Sequence, residues 1–189
     1  MQKKPLQKAI FLDRDGTLIH DRPGHYLSEP DKLRLYRNTP AALKMLADKG
    51  FRLFVVSNQS GVGRGYYTLA TANAINDHLE KLLSRHGVKI AEISICPHAP
   101  STPCECRKPA PAMGLRLMAK HGIDPSRSYM VGDKLSDMEF GRNIGVRTVF
   151  VKTGHGRSQS EKHGEKLAPS IKANDILRAA QRICDEIQD

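Results

Sequence analysis

Residues 8–17 read KAIFLDRDGT, an apolar run that ends abruptly in two aspartates one residue apart. The segment Ala9-Ile10-Phe11-Leu12 suits a strand buried on both faces. Asp13, Arg14 and Asp15 then emerge at its carboxyl end, and Gly16 lets the backbone turn away. Two crowded carboxylates at a strand end cost stability unless a cation or a reaction uses them. A plain strand followed by an Asp-Gly turn explains D-x-D-G alone, but not Thr17 together with the motifs that follow.

Working outward, strand-like runs at 8–12, 52–57, 89–96, 128–131 and 147–151 alternate with helix-like runs at 39–49, 68–86, 111–121, 136–143 and 175–187. This alternation predicts an α/β fold, a parallel sheet with helices on both faces. Ser136 and Glu139 are spaced as a capping box, Pro111 suits a first helical position, and Gly50, Gly87 and Gly122 mark helix stops. The last helix sets Ile176, Ala180, Ile183, Cys184 and Ile187 on one face, which places Cys184 in the core. Residues 154–169 are polar and contain glycine, and read as a mobile surface loop. No internal repeat or linker interrupts residues 1–189, so one domain is expected.

Of the 189 residues, 39% are hydrophobic and 26% charged, ordinary values for a soluble globular chain. No apolar stretch approaches the roughly 20 residues of a membrane span, and residues 1–15 lack a signal-peptide core and cleavage site. A cytoplasmic location, without membrane association, is expected. The 30 basic residues against 20 acidic give a net charge of +10. With only 5% aromatics and no tryptophan, a stacking surface for single-stranded nucleic acid is poor, and no nucleic-acid partner is expected. A substrate with several phosphates gives the basic excess a use through electrostatic steering.

Cys96, His98, Cys104 and Cys106 put three thiols and one imidazole into residues 96–106. Such a set fills the tetrahedral shell of Zn²⁺ and leaves no open position, so the zinc is expected to be structural. Prolines 97, 100 and 103 stiffen the turn. The loop runs straight into Arg107 and Lys108, so bracing that pair is its expected purpose.

DRDGT resembles the first motif of the haloacid dehalogenase (HAD) superfamily of aspartyl phosphotransferases, whose core is Rossmann-like. The resemblance implies that Asp13 is the nucleophile and Asp15 the acid that protonates the leaving oxygen, a carboxyl that must therefore store a proton. SNQSG, beginning at Ser57, matches the second motif, with Ser57, Asn58, Gln59 and Ser60 holding phosphoryl oxygens. Lys108 in CRKP matches the third and offsets charge at the reacting phosphoryl group. Asp133 in VGDKLSD matches the fourth, and with Asp13 and the Asp15 backbone carbonyl would hold a catalytic Mg²⁺. Asp137 either supports that metal shell or starts a helix. Intervals 18–50 and 61–107 are largely used by the core's own elements, so the chain is expected to lack a cap domain.

DRDGT, SNQSG, CPHAPSTPCECRKP and VGDKLSD in this order resemble the heptose bisphosphate and histidinol-phosphate phosphatase branch, over nearly the whole chain. The position before Asn58 is often threonine there; Ser57 keeps the hydroxyl. The spacing between zinc-ligand pairs is short compared with some members. The resemblance implies a phosphatase acting on the 7-phosphate of a small sugar bisphosphate, D-glycero-D-manno-heptose 1,7-bisphosphate, and a monomer is expected. Asp21, Arg22, Pro23 and Gly24 would line the substrate, and Arg107, Lys108 and Lys134 would engage its phosphates. A histidinol-phosphate phosphatase, a DNA 3′-phosphatase and a non-catalytic zinc-ribbon nucleic-acid-binding protein are the competing readings. No G-x-x-x-x-G-K-[ST] loop supports a kinase-linked DNA phosphatase, and binding alone needs neither Asp13 nor Asp15.

Overall fold

The computed structural model describes residues 5–21 and 24–187. Thirteen elements follow one another: β1 (Ala9–Leu12), α1 (Thr39–Asp48), β2 (Arg52–Asn58), α2 (Ser60–Gly63), α3 (Leu69–Ser84), β3 (Glu92–Cys96), α4 (Ala112–His121), β4 (Tyr129–Gly132), α5 (Leu135–Asn143), β5 (Arg147–Val151), α6 (Gly156–His163), β6 (Ile171–Ala173) and α7 (Ile176–Glu186). The strands form one sheet in the order β3-β2-β1-β4-β5-β6. Every neighbouring pair is parallel. The chain winds outward from β1 through β2 and β3, then returns to β1's other side with β4. In such sheets the crevice at this switch point, outside the carboxyl ends of the strands, is where ligands bind.

The strand period of two assigns the two faces. Ile10 and Leu12 point toward α1, α3 and α7, meeting Leu43, Leu46, Ile75, Leu79 and Ile183. Ala9 and Phe11 point the other way, toward Met113 and Leu117 of α4 and Phe140 and Ile144 of α5. Burial on both faces is why β1 reads as a continuous apolar run. The Asn38 side chain makes no capping bond to α1. Packing holds that helix instead, since Leu43 and Leu46 are fully buried, at roughly 1.5–3 kcal/mol each. Cys184 is buried in the same layer, as its helix face predicts.

Three local expectations need correction. Ser136 lies inside α5 and does not cap it. The N-cap is Lys134, whose N–H donates to the Asp137 carboxylate at 3.0 Å. Pro111 precedes the first helical residue of α4. Residues 154–169 are largely ordered secondary structure: α6 is followed by a 3-10 turn whose Leu167 packs on Met138 and Phe150. Gly156 and Leu167 are the buried anchors of α6 and that turn, so no apolar periodicity announced them. The short edge strand β6 follows.

Interval 18–50 holds a loop, a 3-10 turn at Pro30–Lys32 and α1, and α2, α3 and β3 occupy most of 61–107. Among the described residues no cap domain stands over the sheet, and no helix is long and apolar enough to cross a membrane.

Candidate active site

Asp13 leaves β1 with its N–H donating to Val131 O of β4 at 2.9 Å, which places its carboxylate at the switch point. Lys108 reaches it from the loop after β3. The ammonium nitrogen lies 2.7 Å from Asp13 Oδ1, Val56 O and Asp137 Oδ1 alike. All three side chains are buried. Burial pushes the Asp13 carboxyl above its ordinary range, more than the neighbouring Lys108 lowers it. Burial pulls Lys108 down, but Asp13 and Asp137 outweigh this and keep it charged. Lys108 is thus a fixed positive charge against the candidate nucleophile.

Asp133 follows β4 and is completely buried. Two glycines make room for it. Gly16 has φ +91°, and a Cβ there would collide with the Asp133 carboxylate; one on Gly154 would collide with that carboxylate and the Gly16 backbone. Asp13, Asp133 and Asp137 each offer an oxygen within 4.8 Å of the others. Asp13 Oδ2 and Asp133 Oδ1 are buried without a hydrogen-bond partner. Burial drives the Asp133 carboxyl well upward, and Asp13 and Asp137 add to the rise. Unpartnered hard oxygens on crowded carboxylates fit a divalent cation such as Mg²⁺. The Asp15 side chain is outside this cluster; its backbone carbonyl faces Lys134 Nζ at 3.4 Å. Of the two roles weighed for it, Asp137 takes the helix start, where Oδ2 accepts the Lys134 N–H; its Oδ1 pairs with Lys108, a role the sequence did not suggest.

Asp15 itself is held by a residue the sequence did not single out. Arg14 follows Ile10 and Leu12 in parity, so it points to the α3 side and is 1% exposed. Its guanidinium donates to both Asp15 oxygens (3.1 and 3.0 Å), to Asn76 Oδ1 (2.8 Å) and to Gln59 Oε1 (2.8 Å). Gln59 Nε2 returns to Asp15 Oδ2 at 2.8 Å and to Ser57 Oγ at 2.7 Å, and Tyr67 OH donates to Gln59 Oε1. Burial raises the Asp15 carboxyl, but the Arg14 charge and hydrogen bonds, with Lys134 and Gln59, hold it below its ordinary value. The bidentate Arg14 guanidinium thus favours the ionised form of Asp15, the opposite direction from the stored proton expected of it.

One cleft of about 310 Å³ brings together Asp15, Gln59, Ser60, Arg107 and Lys134, with Asp21 and Gly24 on its wall. Ser57 lies beneath it, buried, its hydroxyl 3.3 Å from Asp15 Oδ2. Asn58 lines the cleft, yet its amide is spent on the Lys108 backbone, accepting from its N–H (2.9 Å) and donating to its C=O (3.0 Å). Arg22 and Pro23 lie outside the described residues. Tyr26, Tyr67 and His155 also line the cleft and were not singled out by the sequence.

The four proposed zinc ligands converge. Cys96 Sγ is 3.7 Å from Cys104 Sγ and 3.6 Å from His98 Nδ1, which is 3.2 Å from Cys106 Sγ. Two thiolates at ~2.3 Å from a tetrahedral zinc are themselves about 3.8 Å apart, so the set has the right size. Cys96 ends β3 in register with Asn58, and Arg107 Nη1 donates to His98 O at 3.4 Å. The cluster therefore closes the loop that runs from the end of β3 directly into Arg107 and Lys108.

A family model described as HAD-hydrolase-like matches residues 105–179. D-glycero-beta-D-manno-heptose-1,7-bisphosphate 7-phosphatase of Haemophilus ducreyi is 37% identical over 174 residues, 87% of this chain and 94% of its own. The protein of that name from Helicobacter pylori is 40% identical over 147 residues, 77% and 83% of the two chains. The crystal structure of D,D-heptose 1.7-bisphosphate phosphatase from B. bronchiseptica, complexed with magnesium and phosphate, superposes with a TM-score of 0.87 at 30% identity, covering 95% of this chain and 99% of that one. The D,D-heptose 1,7-bisphosphate phosphatase of Burkholderia Thailandensis gives 0.71 at 27% identity, covering 94% and 99%. With the motifs in place at the carboxyl ends of a sheet of this order, the chain belongs to the HAD-like hydrolases, in the family of D-glycero-D-manno-heptose 1,7-bisphosphate 7-phosphatases.

Proposed function

We propose that the chain removes the 7-phosphate of D-glycero-D-manno-heptose 1,7-bisphosphate, as a cytoplasmic monomer. Asp13 attacks phosphorus and forms an aspartyl phosphate, while Lys108 offsets charge on the shared oxygens. The incoming phosphate opposes the pull of Arg14 and Lys134 on Asp15, which lets that carboxyl take up a proton from solvent and pass it to O7 as the O7–phosphorus bond breaks. Asp15, ionised again, then takes the proton of the water that opens the aspartyl phosphate. Mg²⁺ held by Asp13, Asp133 and the Asp15 carbonyl would supply positive charge to the phosphoryl oxygens. Zinc on Cys96, His98, Cys104 and Cys106 would brace Arg107 and Lys108 without touching substrate.

The observation that carries the bisphosphate reading is the presence of Arg107 and Lys134 in the Asp15 cleft, while Lys108 is fully engaged by Asp13 and Asp137. Two further cations suit a phosphate that is retained. Histidinol phosphate would instead need an acidic contact for its amine. Asp21 is the cleft carboxylate on offer, and it already faces Lys134 at 3.7 Å and His155 at 3.0 Å. The product, a heptose 1-phosphate, would feed nucleotide-activated heptose for a surface glycan.

Phosphate release across both heptose bisphosphate anomers, fructose 1,6-bisphosphate, histidinol phosphate and a 3′-phosphorylated oligonucleotide tests the proposal. A heptose bisphosphate should exceed every other substrate at least tenfold in kcat/KM. Fastest turnover of histidinol phosphate or the oligonucleotide overturns it.

A further inference from the structure

The turn after β5 enters the site between the ends of β1 and β4, and the chemistry above gives its histidine no task. The His155 N–H donates to Asp133 Oδ2 at 2.7 Å, and the Gly154 N–H donates to Tyr36 Oη at 3.0 Å. The close approach of Gly154 to Gly16 leaves this backbone no room to shift inward. From that fixed base the imidazole reaches across the cleft wall, its Nε2 3.0 Å from Asp21 Oδ2. A carboxylate only accepts, so Nε2 carries the hydrogen. The same Asp21 oxygen is 3.7 Å from Lys134 Nζ, too far for a hydrogen bond. Both His155 and Asp21 line the cleft with Lys134 and Arg107.

We infer that His155 is a positioning residue for substrate specificity: it holds the Asp21 carboxylate toward the sugar as a hydroxyl acceptor and prevents it from closing on Lys134. This deepens, and rests on, the sugar-phosphate reading above. Charge-assisted N–H···O bonds close to about 2.7–2.9 Å, so an Asp21 released from the imidazole collapses onto the ammonium. That contact removes a hydroxyl acceptor and a phosphate-binding charge together. A small aryl phosphate uses neither, so the loss is selective.

The test compares kcat/KM for heptose bisphosphate with that for p-nitrophenyl phosphate in the wild-type, His155→Ala, His155→Gln, Asp21→Ala and Asp21→Ala/His155→Ala proteins, each checked by thermal melting. The bisphosphate-to-aryl ratio should fall about tenfold in His155→Ala, mainly through KM, and recover in His155→Gln, which retains a donor. The double variant should lose no more than Asp21→Ala. The Mg²⁺ concentration for half-maximal rate should stay within about twofold, because the contact to Asp133 is made by backbone. If His155→Ala does not fold, His155→Asn, too short to reach Asp21, takes its place. An unchanged ratio overturns the inference, as do equal losses on both substrates with a raised Mg²⁺ requirement, which would place His155 at the Asp133 carboxylate. If the wild-type protein prefers another sugar phosphate, the proposed substrate fails on that result alone, and the ratio is read with the preferred one.

Discussion

Arg14 and Asp15, adjacent in sequence, form a two-pronged ion pair at 3.1 and 3.0 Å inside the protein, and the same guanidinium spans to Asn76 on α3. A planar fork is needed for this, since three acceptors in different directions share one cation. Arg14→Lys keeps the charge but cannot serve Asp15, Gln59 and Asn76 at once. The expected cost is about 1.5–3 kcal/mol of stability, one charge-assisted hydrogen bond, together with at least a tenfold fall in kcat. Denaturant melts and steady-state rates measure both. Wild-type kcat in this variant would show that Asp15 needs no fork.

Asp133 and Asp137 are alike in sequence but separated by their partners. Among the described residues, Asp133 accepts only the His155 N–H on Oδ2 and has its nearest cation, Lys134, at 3.9 Å, whereas Asp137 accepts the Lys134 N–H and holds the Lys108 ammonium at 2.7 Å. Asp133→Asn should therefore raise the Mg²⁺ concentration for half-maximal rate at least tenfold. Asp137→Asn should mainly lower kcat and melting temperature, through Lys108 and the start of α5, moving the magnesium titration by less than about threefold. The reverse pattern would exchange the two roles.

What sequence could reveal follows from how each feature is encoded. Strand β1 and the motifs at the ends of β2 and β4 were legible because buried parallel strands are apolar throughout and carry their polar site residues just beyond. The four metal-type ligands were legible because 96–106 is a single local loop. Arg14 was not, because its meaning lies in Asn76, 62 residues away, and in Gln59, 45 away. His155 was hidden for a similar reason: its partner Asp21 is 134 residues distant, and the polar stretch around it carries no apolar period. Residue type alone suggests that Asp15 stores a proton, and it misses the neighbouring Arg14 charge, which favours the ionised carboxyl.

Replacing Asp13 by Asn should leave the fold intact and abolish multiple turnover, since an amide is no nucleophile. The variant also removes a charge that burial opposes, so its melting temperature in the absence of Mg²⁺ should not fall by more than a few degrees. Sustained turnover, with deamidation excluded by mass spectrometry, would rule out the aspartyl phosphate.

Cys104→Ser should reduce bound zinc from about one ion per chain and lower both stability and activity, although residue 104 touches no part of the cleft. At this chain length each kcal/mol lost lowers the melting temperature by roughly 2–4 °C, so a loss of about 2 kcal/mol would be readily seen. Activity should fall because the loop presents both Arg107 and Lys108. Excess Mg²⁺ should not rescue zinc-stripped protein, since it favours oxygen ligands. Unchanged melting and rate after stripping would show that the Cys/His set braces nothing.

Arg107→Ala distinguishes a bisphosphatase from a general phosphatase. Arg107 lines the cleft beside Lys134 and is steadied by His98 O at 3.4 Å, but it makes no contact with Asp13, which Lys108 holds at 2.7 Å. If Arg107 binds the retained phosphate, its removal should cost about ten- to a hundredfold in kcat/KM on the bisphosphate, the worth of a charge-assisted hydrogen bond of roughly 1.5–3 kcal/mol. p-Nitrophenyl phosphate, with no second phosphate, should lose much less. Lys108→Ala should damage both substrates alike, because its charge acts at the phosphoryl group being transferred. Equal losses for Arg107→Ala would place the arginine at the chemistry, and the cleft would then offer Lys134 alone to a second phosphate, too little to prefer a bisphosphate over a monophosphate.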